Sequence, residues 1–381
     1  MPWRSSSIMD ERIRFVIAAS LGVRRISRLC SEFGVSRQTG YRWLRRYKKT
    51  GSVTSLADRS SRPHSSPSRT LPEIEQQVIA ARSRYGWGAR KLHHVLLGQG
   101  VSLPASTIHN VLRRHGLIVP KASHRPALQR FERSAPNQLW QMDFKGEYPI
   151  GGGRCYPLTM LDDHSRYSTG IFALSGQSTD LVKSSLIKVF EEYGLPEAML
   201  MDHGVPWFSN TNAHGLTRLS VWLIKHDIEL IYGAVAHPQT RGKIERFHRT
   251  LADYIRFHHM PGSMAGWQSY LTAFQHEYNN IRPHESLGMA PPASRYTASA
   301  RNYTDSVRQW QYPVGATVKR LNTQGCLEYR QARYFVCEAL AGERVQIEHL
   351  DDKILVRFRR QYIRQIELAT RKTRAITDRL K

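Results

Sequence analysis

Cysteine is scarce in this chain: four residues in 381, at positions 30, 155, 326 and 337, with no CxxC among them. That spacing suggests neither a zinc site nor a disulfide framework, and it suits a reducing compartment. A hydrophobic run of membrane-spanning length is also missing. The apolar stretch 15–23 has Asp10 and Glu11 before it and Arg24 and Arg25 after it, the wrong flanks for a secretory signal. A soluble, cytoplasmic protein with no membrane partner is expected. Acidic residues are short at both ends. Residues 1–135 carry 25 Lys and Arg against 7 Asp and Glu, residues 312–381 carry 15 against 8, and residues 136–311 carry 16 of each. The net charge of +25 and a pI near 10.3 point to a polyanionic partner. A neutral middle between basic arms suits a catalytic core whose flanks hold nucleic acid.

The first fifty residues read as three helices. Ile13, Val16 and Ile17 mark the first stripe, and Ile26, Leu29 and Cys30 the second. Phe33-Gly34-Val35 is a tight turn, and Ser36 caps a third helix to about Tyr47. Helix, short glycine turn and capped basic helix form a helix-turn-helix pattern. Trp43, Leu44 and Tyr47 can face inward, leaving Arg37, Gln38, Arg42 and Arg45 toward a major groove, where Arg and Gln fit guanine and adenine. The plainer alternative is a helical bundle with a solvated basic face. Gly40 sits inside the third helix, where it costs about 1 kcal/mol relative to Ala.

Residues 52–70, rich in Ser, Arg and Pro, read as a linker. A second helical module is expected over 71–120. Ile74, Val78 and Ile79 begin it, Tyr85-Gly86-Trp87-Gly88 turns the chain, and Pro104 opens a last helix through Arg113. Ser106, Thr107, His109, Asn110, Arg113 and Arg114 give that helix a polar face, with His109 and Arg113 as candidate DNA contacts. Residues 121–136 read as a basic tether.

From Asn137 the period becomes two. Trp140, Met142 and Phe144 alternate with Gln141, Asp143 and Lys145, and strands are expected over 139–145, 156–161 and 169–174 as a meander. Helix 181–193, strand 198–201, helix 219–226, strand 230–232 and two further helices follow, the second over 264–280. That order describes a mixed five-stranded sheet covered by helices on both faces, over 137–297. Ile244, Phe247, Leu251 and Tyr254 form the buried stripe of the first of those two helices. Residues 312–367 hold short strands with turns between them, expected to close a small β-barrel. Arg357, Arg359, Arg360 and Arg364 would give it a basic edge, with a basic tail over 368–381.

Three carboxylates stand out. Asp143 lies mid-strand, Asp202 ends a short buried strand, and Glu245 starts a helix after a Pro/Gly break. Strand ends of open α/β sheets are where ligands gather. Carboxylate oxygens suit Mg²⁺, and two ions about 3.5–4 Å apart clamp both oxygens of a phosphoryl displacement. For Glu245 taken alone, a surface ion pair with Arg241 or Arg249 is the plainer alternative.

Several motifs in order resemble the DDE transposases and integrases with a retroviral-integrase-type core, and within them the transposases of bacterial insertion sequences. They are Leu139-Trp140-Gln141-Met142-Asp143, Leu161-Asp162-Asp163-His164-Ser165-Arg166, Asp202-His203-Gly204, and the run from His237-Pro238-Gln239 through Lys243-Ile244-Glu245-Arg246. Asn279-Asn280-Ile281-Arg282-Pro283-His284 follows, then Leu287-Gly288 and Pro291-Pro292. The resemblance covers about 137–297. It implies a ribonuclease-H-like α/β/α core, with Asp143, Asp202 and Glu245 as catalytic residues and ligands of two Mg²⁺ or Mn²⁺ ions. It implies cleavage and joining of element-end and target DNA by a homodimer or larger oligomer, in a bacterial, nucleoid-associated setting. Two departures stand: His203 replaces the usual Asn, and 42 residues separate Asp202 from Glu245, more than is commonest, with 209–219 as the extra length.

Asp162 and Asp163 are rival acids, expected to form a turn with Arg166. Lys243 and Arg249 are candidate phosphate contacts, and His237 either positions a phosphate or caps the helix. The alternative to a transposase is a sequence-specific repressor with an inactive core. A nonspecific nuclease leaves two recognition modules unexplained.

Overall fold

The computed structural model describes residues 7–59, 69–118, 132–209, 215–232 and 242–376. It divides into two compact units, Met1–Arg69 and Thr70–Lys381.

In the first unit, helices α1 (Ile8–Ser20), α2 (Ile26–Glu32) and α3 (Arg37–Thr50) pack around Phe15, Val16, Leu29, Cys30, Trp43, Leu44 and Leu56. Ser7 and Asp10 cap α1 reciprocally. Ser36 caps α3 through Thr39 N–H at 3.2 Å, as the sequence suggests. Gly40 finds its reason here. A Cβ at that position would lie 2.6 Å from Cys30 Sγ and 2.7 Å from Phe15 Cζ. The helix gives up propensity so that α3 can seat directly on α1 and α2.

The second unit opens with α4 (Pro72–Tyr85), α5 (Ala89–Gly98) and α6 (Ala105–Arg114), joined around Val78, Leu92, Leu96, Ile108 and Val111. Gly86 at φ +68° ends α4, and a Cβ there would press on the Phe257 ring at 3.0 Å. Arg114 is exposed on α6 like Arg113, but its guanidinium is engaged. It ion-pairs with the buried Glu75, whose other oxygen is 3.0 Å from His115 Nε2.

The main sheet contains β1 (Trp140–Phe144), β2 (Tyr148–Ile150), β3 (Gly153–Asp162), β4 (Gly170–Leu174), β5 (Ala198–Met201) and, beyond them in the chain, β8. Helix α7 (Thr179–Tyr193) precedes β5. A small ladder of β6 (Phe208–Ser209) and β7 (Gly215–Leu216) falls in the stretch expected to hold the extra length; residues 210–214 are outside the described set. Helix α8 (Arg218–Lys225), β8 (Glu229–Tyr232), α9 (Gly242–Phe257) and α10 (Met264–His276) follow. Strand β1 is antiparallel to β3, β3 to β4, while β1, β5 and β8 run parallel. The mixed sheet is as expected, but it counts six strands. Its extra member, β2, is a second arm on the β1 side of β3, ahead of the Gly151-Gly152 turn.

Alternation along β1 separates two cores. Trp140 and Met142 join the cluster under α7 and α8, and the opposite face is covered by Phe247 and Leu251 of α9 with Trp267, Leu271 and Phe274 of α10. Helix α10 stops short of the expected end and passes into a π-helical turn, Glu277–Ile281. That turn aims Asn279 at Ser168, whose N–H donates to Asn279 Oδ1 at 2.8 Å and whose carbonyl accepts from Nδ2 at 2.9 Å.

The C-terminal segment corrects the sequence reading. Strands β9 (Val318–Arg320), β12 (Arg344–Leu350), β13 (Lys353–Phe358), β14 (Gln361–Glu367) and β15 (Thr373–Ala375) form an open antiparallel sheet in the order β15-β14-β13-β12-β9. Hairpin β10 (Cys326–Tyr329) with β11 (Ala332–Phe335) stands apart from it. The edge strands β9 and β15 do not pair with each other, so among the described residues the sheet does not close into a barrel. The expected basic edge also fails. Arg359 and Arg364 are buried, with their guanidinium groups spent on carbonyls of Lys225, Arg308 and Val336.

Candidate active site

Asp143 and Asp202 leave neighbouring parallel strands. Trp140 pairs with Met199 and Gln141 with Leu200, and the same register carried two residues on sets Asp143 beside Asp202 at the strand ends. Asp202 Oδ1 accepts from Gly204 N–H at 2.9 Å and from Trp207 Nε1–H at 2.6 Å. The buried Trp207 stacks on Phe144, the residue after Asp143, with ring centroids 5.5 Å apart. One indole therefore ties the second carboxylate to the strand of the first. His203 packs edge-on to Phe208 at 4.8 Å and lies 5.7 Å from Tyr232, so its ring belongs to the aromatic wall behind Asp202.

Glu245 lies in the first turn of α9, and that turn is fastened to β1. Ile244 N–H donates to Gln141 Oε1 at 3.2 Å, and Gln141 Nε2 donates to Asp163 Oδ1 at 2.9 Å. The other oxygen of Asp163 lies 2.6 Å from Lys243 Nζ, which also reaches the Asp163 carbonyl at 3.0 Å. Burial pulls the Lys243 ammonium below the usual lysine range, while Asp163 supports its charge. A turn later, His248 Nε2 is 2.8 Å from Thr159 Oγ1. That hydroxyl donates its proton to the Asp143 carbonyl at 2.8 Å, so it accepts from His248, which fixes the proton on Nε2. Ile244 and His248, four residues apart, thus staple α9 to β1 and β3, and Glu245 sits between the staples with its side chain exposed.

The rival acids are structural. Asp162 accepts from Asn137 N–H at 2.8 Å, Ser165 N–H at 2.7 Å and Ser165 Oγ–H at 2.6 Å. Burial raises its carboxyl above the usual range against the pull of those bonds. Arg166 ion-pairs with Glu132 at 2.6 Å and gives the turn only backbone bonds.

Among the described residues, no group of three or more His, Cys, Asp and Glu side chains gathers closely enough to hold a metal ion. Asp143 and Asp202 share a strand end, and Glu245 stands out from the helix beside them. His237 and Arg241 lie outside the described residues. Arg249 is exposed, whereas Lys243 is turned inward. Arg37, Gln38, Arg42 and Arg45 are all exposed on α3, and His109 and Arg113 on α6, where Arg113 donates to Asn110 at 3.1 Å. Arg12, Arg42 and Arg46 lie 4.0, 5.1 and 4.6 Å from the Trp43 ring centroid.

Reading the sequence for carboxylates passed over Gln141, Thr159 and Trp207. Gln141 carried one signal, a polar residue two positions before Asp143 and therefore on the same strand face. Thr159 carried none, because His248 is 89 residues away, and Trp207 carried none, because Phe144, on which it stacks, lies on a distant strand.

Two Integrase core domain models match residues 133–238 and 226–292. A Helix-turn-helix domain model matches residues 11–64, and a Homeodomain-like domain model residues 39–112. The chain is 26% identical over 252 residues to an uncharacterized 31.7 kDa protein of insertion element IS407 from Burkholderia multivorans, covering 63% of this chain and 88% of that one. It is 24% identical to the transposase for transposon Tn552 from Staphylococcus aureus, covering 71% of this chain and 63% of the relative. The HTLV-2 integrase catalytic core domain solved in complex with magnesium aligns with 43% of this chain and 99% of that one, at 13% identity and a TM-score of 0.33.

Proposed function

The chain belongs to the insertion-element transposases that carry an integrase core domain, and on that premise we propose that Asp143, Asp202 and Glu245 are its catalytic carboxylates. The observation that carries this reading is the side-by-side exit of Asp143 and Asp202 from parallel strands, with the Glu245 turn fastened to the first of them by Gln141. The donor set is wholly carboxylate oxygen, which fits Mg²⁺ or Mn²⁺. Asp143 and Asp202 would hold the metal and Glu245 would complete its ligands from the helix. Bound there, a pair of such ions would supply charge to the attacking and leaving oxygens of a phosphodiester.

The chain's own residues do the rest. Trp207 orients the Asp202 carboxylate, and the Thr159–His248 contact holds α9 in register with Asp143. Arg249, exposed one turn beyond Glu245, is the phosphate contact on this helix, and Lys243 is a positioning residue. The organisation that goes with this is a helix-turn-helix domain over 1–51, a second over 71–120, a ribonuclease-H-like core over 137–297 and the C-terminal sheet, which runs past the expected 312–367 to β15 at 373–375. Arg37, Gln38, Arg42 and Arg45, with His109 and Arg113, read element-end DNA, and the core joins that end to target DNA within a dimer or larger assembly.

The test is a joining assay with pre-cut element-end duplexes, a plasmid target and Mg²⁺, on cognate and scrambled ends. Joining of the cognate end supports the reading. Specific binding without cleavage or joining under any divalent metal would make the chain a repressor.

A further inference from the structure

The seam between α8 and the C-terminal sheet holds a groove of about 490 Å³ that the catalytic reading does not use. Five cations line it: Lys225 at the end of α8, Arg308, Arg320 on β9, Arg344 on β12 and, at its base, Arg359. Glu343 is its one lining acid, and that carboxylate is already 2.5 Å from Lys225 Nζ. Arg308, Arg320 and Arg344 are exposed.

The groove is built from within. Buried Arg359 donates to the Lys225 carbonyl at 2.5 Å and to the Arg308 carbonyl at 2.9 Å. Its own N–H donates to Tyr312 Oη at 3.2 Å, and that hydroxyl donates to the Arg344 carbonyl at 2.8 Å. Three of the other four cationic residues are thus fixed at their backbones by the Arg359 guanidinium and one phenol. Arg320 spends one of its five N–H donors on the Gly342 carbonyl at 2.9 Å. Trp310 forms a wall, and its buried indole N–H has no partner among the described residues. Like charges held together in a concave site repel one another unless an anion joins them.

The groove also faces away from the carboxylates. Lys225 precedes the start of β8, Asp202 follows the end of β5, and these strands are parallel. The two sites therefore lie toward opposite ends of the sheet, so one phosphate cannot serve both.

We propose that this groove binds a phosphodiester backbone of duplex DNA, as a site separate from both recognition modules and from the carboxylate site. The proposal rests on the reading that the chain acts on DNA. Its contacts are sequence-blind, because Arg and Lys on phosphate carry no base information.

The test uses the full chain, with fluorescence anisotropy on a random duplex and on an element-end duplex over a salt series. Arg320→Ala with Arg344→Ala should weaken random-duplex binding several-fold and reduce the salt slope by about two units. Arg320→Lys with Arg344→Lys should keep most of the slope. Lys372→Ala with Arg374→Ala, an equal loss of exposed charge elsewhere in the sheet, should leave it unchanged. If the loss is confined to random duplex, the groove holds target DNA; if the element-end footprint also shortens, it holds element flank. An unchanged slope in the groove variant, or an equal fall in the control, overturns the proposal. Joining of a pre-cut end, assayed on the wild type, fails or succeeds independently and reports on the catalytic reading alone.

Discussion

His248 Nε2 lies 2.8 Å from Thr159 Oγ1, and Thr159 is the residue paired with Asp143 across the β1–β3 ladder. One hydroxyl thus joins the helix of Glu245 to the strand of Asp143. Thr159→Val keeps the shape and removes both bonds. An unmatched buried donor and acceptor cost about 1–3 kcal/mol. Joining by this variant should fall about tenfold or more while end-duplex affinity stays at the wild-type value. Unchanged single-turnover rates would show that the contact is only packing.

The Lys243–Asp163 pair predicts an effect on folding. Removing one partner of a buried ion pair costs about 3–5 kcal/mol, because the other charge is left without compensation. Lys243→Ala should lower the melting temperature of the core and weaken joining on every DNA, and leave the salt slope of binding at the wild-type value. A slope reduced by about one unit without loss of thermal stability would return Lys243 to the phosphate contacts.

Glu277 carries a pH dependence. Burial pushes its carboxyl up to about 7 from 4.5, against the pull of Arg282 and Arg84. The folded chain therefore holds a proton there that the unfolded chain has released, and Glu277 makes stability fall as pH rises from about 4.5 to 7. Glu277→Gln should flatten that decline and raise the melting temperature at pH 8 relative to wild type. An equal slope in both proteins would refute this.

Gly40→Ala tests the packing of the first unit. The gain in helix propensity is about 1 kcal/mol. The new methyl would meet Cys30 Sγ and Phe15 Cζ at 2.6 and 2.7 Å, and overpacking of this kind costs about 1–3 kcal/mol. Net destabilisation and weaker end binding are expected, by thermal melting and anisotropy. A more stable variant would mean that the three helices can shift apart freely.

The helices and the first three long strands were legible because their signals are local. Ser36, Gly86 and Pro104 mark helix ends, and the alternation from Trp140 to Phe144 marks a strand. Arg364 reads in the sequence as part of a basic edge because nothing local shows that it is buried against the Val336 carbonyl. The open C-terminal sheet was read as a barrel because short strands with turns specify no closure. The carboxylates stood out as acids in apolar surroundings. Their supports did not, since Gln141 meets Ile244, and Thr159 meets His248, only after the sheet and α9 have come together.

The central claim is that Asp143, Asp202 and Glu245 act as one metal-dependent site. The most direct measurement is Mg²⁺-dependent joining of a pre-cut element end by Asp143→Asn, Asp202→Asn and Glu245→Gln, with end binding measured on the same samples. The account predicts that each variant binds the end with near wild-type affinity and joins nothing detectable. Near-normal joining by any one of the three would remove that residue from the site and contradict the account.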